Sequence, residues 1–135
     1  MGNEAVIIEL LGDAGNPIRF TCDNANPIPK GTLLELTDPR TVTVTAADDD
    51  PFGGIAASEK VASDGSTTIA AYQCGIFDLK DSGAGFAAGD RVNVGGANLV
   101  IISVADADNL LQCVGIALET AGAGDVVAVL IGSGL

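Results

Sequence analysis

Thr41, Val42, Thr43, Val44 and Thr45 alternate polar and apolar without a break. A period of two predicts a strand with one buried face. "TLLEL" (32–36) precedes it, and the "TDPR" between them carries Pro39, whose fixed φ suits a hairpin turn. Upstream, "NPIRFTC" alternates at Ile18, Phe20 and Cys22 and predicts another strand. Downstream, "GIAASEKVASDGS" predicts a strand and then a turn, and "TTIAAYQCGIFDL" (67–79) is strand text broken at Gly75. "RVNV", "NLVIISVA", "LLQCVGIALE" and "DVVAVLIG" predict further strands, while "DDDPFGG" and "KDSGAGFAAGD" are read as loops. Only "SVADADNLLQ" has mild helical character. "NEAVIIELL" (3–11) is apolar and ends at Gly12-Asp13, so it is either a first strand or an extended arm. Short strands with turns roughly eight to twelve residues apart predict an all-β fold, a compact β-sandwich or barrel. At most one or two short helices fit this pattern.

The chain also says nearly the same thing twice. Gly31 faces Gly89, "TDPR" faces "GGAN", and "TVTVTAADDD" faces "LVIISVADAD". Gly54-Ile55-Ala56 faces Gly115-Ile116-Ala117, Glu59 faces Glu119, and "SDGSTTIAAYQCG" faces "AGDVVAVLIGSG". Several matches in one order favour a duplicated supersecondary unit over chance likeness of Gly/Ala-rich β text. Each copy alone leaves an apolar face exposed, and packing the two together buries it. The expected organisation is an N-terminal arm or first strands over 1–24, then a single β domain over 25–135 with half-repeats about 28–76 and 86–134.

Composition sharpens this picture. The 135 residues suit one domain, and 47% are apolar but only 4% aromatic, so Ala, Val, Ile and Leu build the core. Eighteen glycines and five prolines supply the turns. Eighteen acids against six bases give a net charge of −12, which argues against nucleic-acid and anionic-membrane partners. The start "MGNEAVIIELLGD" has no basic stretch and carries Glu4 and Glu9, so no secretory signal is expected. No apolar run is long enough to span a bilayer.

Candidate chemistry is sparse. The chain has no histidine, which removes the commonest general base and metal ligand. Cys22, Cys74 and Cys113 are far apart in sequence and read as free thiols in a reducing compartment. "GAGFAAGD" lacks the lysine of a phosphate loop. Asp48, Asp49 and Asp50, and Asp106 and Asp108, are carboxylates suited to a hard cation, but solvated loop charge is the better reading. Tyr72 and Phe77 are expected in the core or at a subunit contact rather than in a pocket. No catalytic, cofactor-binding or metal residue is assigned, and no enzyme activity is expected.

"GIFDLKDSGAGFAAGDRVNV", followed by "VGIALETAGAGDVVAVLIG", resembles the small capsid decoration (cement) proteins of tailed phages and prophages, long a family of unknown function. Gly75-Ile76-Phe77-Asp78-Leu79, Gly89-Asp90-Arg91-Val92 and the stretch from Gly115 to Val129 carry the likeness, and "KGTLLELTDPRTV" adds to it. The aromatic often found after Val92 is missing, and the cysteines lie outside the pattern. The resemblance implies a non-enzymatic virion protein, made in the host cytoplasm and bound to the capsid exterior. Its implied partners are the major capsid protein and itself, as a homotrimer that clamps neighbouring capsomers. A head-fibre base or tail component is the alternative. Val6, Ile7, Ile8, Leu10 and Leu11 are candidate capsid contacts, if "NEAVIIELL" adds as a strand to a capsid sheet edge.

Overall fold

A computed structural model describes residues 17–48, 50–103 and 113–132. Its ten strands close into two five-stranded barrels. The first contains β1 (Ile18–Thr21), β2 (Leu33–Asp38), β3 (Thr41–Val44), β4 (Phe52–Ala56) and β5 (Thr68–Tyr72). The second contains β6 (Gly75–Asp81), β7 (Arg91–Gly96), β8 (Leu99–Ile102), β9 (Cys113–Ala117) and β10 (Val126–Ile131). No helix occurs among the described residues. The fold is therefore all-β, with barrels in place of a sandwich.

The two barrels share one strand order. In each, the first strand pairs parallel with the third and antiparallel with the fifth, and the remaining pairs are antiparallel. The hairpin bulges match as well, between Leu36 and Asp38 in the first barrel and between Val94 and Gly96 in the second. The Gly31 amide donates to the Ala56 carbonyl at 2.9 Å, and the Gly89 amide donates to Ala117 at 2.8 Å. Both glycines turn the chain at positive φ, +86° and +94°.

Three details differ from the sequence reading. The barrels run from Ile18 to Tyr72 and from Gly75 to Ile131, so each starts about ten residues before the half-repeats drawn at 28–76 and 86–134. The opening strands "IRFT" and "GIFDLKD" share almost no text, which hid them from the alignment. Glu59 matches Thr120 rather than Glu119. The bridges Ile28–Lys60 and Phe86–Ala121 fix that register, and the Glu59 carboxylate and Thr120 hydroxyl accept from the amides of Lys30 and Ala88. Phe52 and Gly53, read as loop, open β4, and Lys80 and Asp81 finish β6. Their pairing partners, Glu35 for Phe52, Val126 and Leu99 for Lys80, and Val100 for Asp81, draw them into the sheets.

Each barrel fills its interior with small and branched side chains. Phe20, Leu34, Val42, Ile69 and Ala71 pack inside the first. Val92, Val94, Val100, Val114, Val127, Val129 and Ile131 form the core that centres on the second. Leu33 and Ile55 belong to this second cluster although they sit on first-barrel strands. They pair with each other, and Ile55 pairs with Tyr72, so all three point out of their own barrel. The second barrel covers them, leaving Leu33 0% and Ile55 1% exposed.

The β7–β8 turn completes this contact. The Leu33 amide donates to Asn98 Oδ1 at 3.0 Å, Thr45 Oγ1 donates to the Gly96 carbonyl at 2.9 Å, and the Asn98 amide donates to Thr45 Oγ1 at 3.1 Å. Asp48 bridges to Gly95, where a Cβ would sit 2.5 Å from Ser82 Oγ. Only Gln73 and Cys74 separate the last strand of one barrel from the first of the next. The Tyr72 and Phe77 rings meet across this link, 5.7 Å apart.

Candidate functional site

Val6, Ile7, Ile8, Leu10 and Leu11 lie outside the described residues, as do Asp49, Asp106, Asp108 and the stretch 104–112. The remaining acidic positions are tied into the fold. Asp50 Oδ2 accepts from the amides of Ala46 and Ala47 at 2.9 and 3.0 Å, which shapes the loop before β4. Burial pushes the Asp50 carboxyl up, but those two amides and the Glu35 carboxyl outweigh it and hold it below the ordinary aspartate range. Burial and the neighbouring Asp50 charge raise Glu35 in turn. Among the described residues, no three His, Cys, Asp or Glu side chains are placed to share a metal ion.

Cys22 and Cys113 are not activated nucleophiles. Burial pushes Cys22 and Cys113 above the ordinary thiol value, against the pull of Lys60 on the first and Arg91 on the second. Lys60 is 3% exposed and works structurally. Its ammonium donates to the carbonyls of Asn24, Asn26 and Val61 and pairs with Asp64 at 3.6 Å.

The surface that stands out is the outer face of the second barrel. Ile76 pairs with Leu130, and Leu130 with Ile116, so the three form one apolar row across β6, β10 and β9. Val126 lies further along the same face of β10, and the Leu118 amide bonds to the Ala128 carbonyl beside it. Ile76 is 63%, Val126 59% and Leu118 43% exposed. Branched side chains on a solvent-facing pleat suit packing against another surface. The row ends at Arg91, which pairs with Ile116. There, Gly89, Arg91, Ser103 and Ile116 line a surface depression of about 270 Å³.

Sequence reasoning placed these residues on strands but did not single them out. The signal was present in "VVAVLI", which is apolar at both parities. A strand with one wet face alternates, so an unbroken run asks for cover on both sides.

Comparison with known proteins gives three results. A family model described as "Phage cement protein" matches residues 13–132. Among solved structures, the chain is similar to the head fiber gp8.5 N base of bacteriophage phi29, with a TM-score of 0.56 and 19% identity. That match covers 85% of this chain and 93% of the other, and at this identity it is a likeness of fold. No curated protein matches the chain.

Proposed function

Because the chain belongs to the phage cement protein family, matched over residues 13–132, we propose that this virion structural protein binds the outer surface of a tailed-phage icosahedral capsid. It acts there as a homotrimer that ties neighbouring capsomers together, with the major capsid protein as its partner. It is made in the host cytoplasm and carries out no chemical reaction. The family match is the observation that carries this reading. The open apolar face of the second barrel supports it, because a cement protein needs cohesive surface rather than a catalytic cleft. A net charge of −12 keeps free copies dispersed at low concentration.

The test is addition of purified protein to purified capsids, followed by sedimentation and counting of bound copies. Saturation at a number comparable to the major capsid protein, with retained DNA on heating, fits the proposal. Absence of binding to expanded and unexpanded capsids overturns it. The likeness to the phi29 head fiber base favours a second reading, in which the two barrels seat a fibre on the capsid. Copy number separates the two, since a fibre base saturates at far fewer copies than the capsid subunit.

The segment holding Val6, Ile7, Ile8, Leu10 and Leu11 is proposed as an arm that adds a strand to the capsid subunit. Deletion of residues 1–11 is expected to abolish capsid binding while leaving the β-type circular dichroism unchanged. A truncated chain that still binds, or one that unfolds, rules the arm out.

A further inference from the structure

The depression on the second barrel has a twin on the first, and the twin is filled. Counting from the matched bulges and pairs, Arg91 corresponds to Leu33 and Ile116 to Ile55, since each of these pairs bridges the second and fourth strands of its barrel. Ser103 corresponds to Thr45. The Thr45 amide donates to the Leu33 carbonyl at 3.1 Å, and the Ser103 amide donates to the Arg91 carbonyl at 2.9 Å. Gly89 corresponds to Gly31. The four residues lining the depression are therefore the counterparts of Gly31, Leu33, Thr45 and Ile55. Two of those, Leu33 and Thr45, bond to the β7–β8 turn where it docks within the chain. The turn that corresponds to residues 95–98 is 37–40, the β2–β3 turn of the first barrel. Arg40 and Asn98 hold the same left-handed position in the two turns, at φ 48° and 56°.

We propose that the β2–β3 turn of a second copy seats in this depression, repeating between copies the contact that joins the barrels within one. The Ser103 hydroxyl then takes the role of Thr45, donating to the Asp38 carbonyl and accepting from the Arg40 amide. Two exchanges alter the charge of the contact: Leu33 becomes Arg91 in the site and Gly96 becomes Asp38 in the turn, so the turn carries a carboxylate into a depression lined by a guanidinium. Asn98, whose Oδ1 accepts from the Leu33 amide inside the chain, becomes Arg40, whose guanidinium donates to the Arg19 carbonyl of its own barrel, so that one bond has no counterpart. The apolar row of Ile116, Leu130 and Ile76 continues from the depression, just as Leu33, Ile55 and Tyr72 form the matching row in the first barrel. A contact of this kind is heterologous, joining unlike surfaces, and it closes into a ring when the rotation permits. It rests on the proposed function only for the number of copies in that ring.

The test is disulfide trapping between two single variants, Arg40→Cys and Ser103→Cys, in a Cys74→Ala background. Asn98→Cys with Thr45→Cys in one chain is the control for the twin contact. The control is expected to close within the chain, and mixing the two single variants is expected to give a covalent dimer that neither gives alone. A charge reversal adds a second readout. Arg91→Glu should weaken association by roughly tenfold or more, and Asp38→Lys should restore it. A control that closes while the mixture stays uncoupled overturns the inference, as does failure of Asp38→Lys to rescue. Capsid binding by the wild-type chain is measured in parallel. Binding without trapping sinks this contact alone, and trapping without binding sinks the capsid reading alone.

Discussion

Ile55 and Ile116 occupy matched places in the two barrels, yet their surroundings differ. Ile55 is 1% exposed beneath the second barrel, whereas Ile116 is only partly covered at the edge of the depression. Truncating a fully packed isoleucine to alanine typically removes 2–5 kcal/mol, so Ile55→Ala should destabilise by about 3.5 kcal/mol. Ile116→Ala, at a position that is already partly exposed, should lose less, about 1 kcal/mol. With an unfolding entropy of about 2.1 cal/mol/K per residue, the first value lowers Tm by about 12 °C and the second by about 4 °C. Urea unfolding followed by circular dichroism measures both, at a concentration low enough to keep copies apart. Equal losses in the dilute chain would refute the assignment of Ile55 to an interface between barrels and of Ile116 to open surface. At high concentration the gap should narrow, because association covers Ile116.

Two further outcomes follow from local geometry. A Cβ at Gly115 would overlap the Leu130 carbonyl oxygen of the paired strand, whereas one at Gly31 would meet nothing within 4 Å. Gly115→Ala should therefore cost about 3 kcal/mol or more, and Gly31→Ala only the roughly 1–2 kcal/mol of a left-handed backbone, both read from thermal unfolding. Asp50→Ala removes the acceptor for two amides and should destabilise by about 1–2 kcal/mol at pH 7. Because Asp50 titrates below its unfolded value, its contribution is complete above the ordinary aspartate pKa of about 3.9 and fades as pH falls through the lower folded value. The wild-type and variant stabilities should thus converge at strongly acid pH, and a gap that persists there would contradict the assigned role.

Strand text was legible wherever one face was wet. Thr41 to Val44 alternates, and Val42 is buried as that alternation requires. The duplication was legible at residues that backbone geometry constrains, such as Gly31 with Gly89, because a positive φ restricts the choice of residue in both copies. It faded at β1 and β6, where pairing asks only for extended backbone and the side chains have diverged. The open surface was hidden for a different reason. Ile55 and Ile116 are the same residue type at the same point of the repeat, and only tertiary packing makes one core and the other surface. Leu33 against Arg91 was the one readable difference, since an arginine stands in the second barrel where the first has a fully buried leucine.

Closure of both barrels governs what this chain can exchange with its surroundings. Every described strand already has hydrogen-bonded neighbours on both sides, so no sheet edge is left to recruit a foreign strand. Crowded copies of the chain are thereby protected from fibrous, edge-to-edge association through these strands. Main-chain pairing with a partner is therefore closed to the barrels, which have no strand edge on which to borrow one.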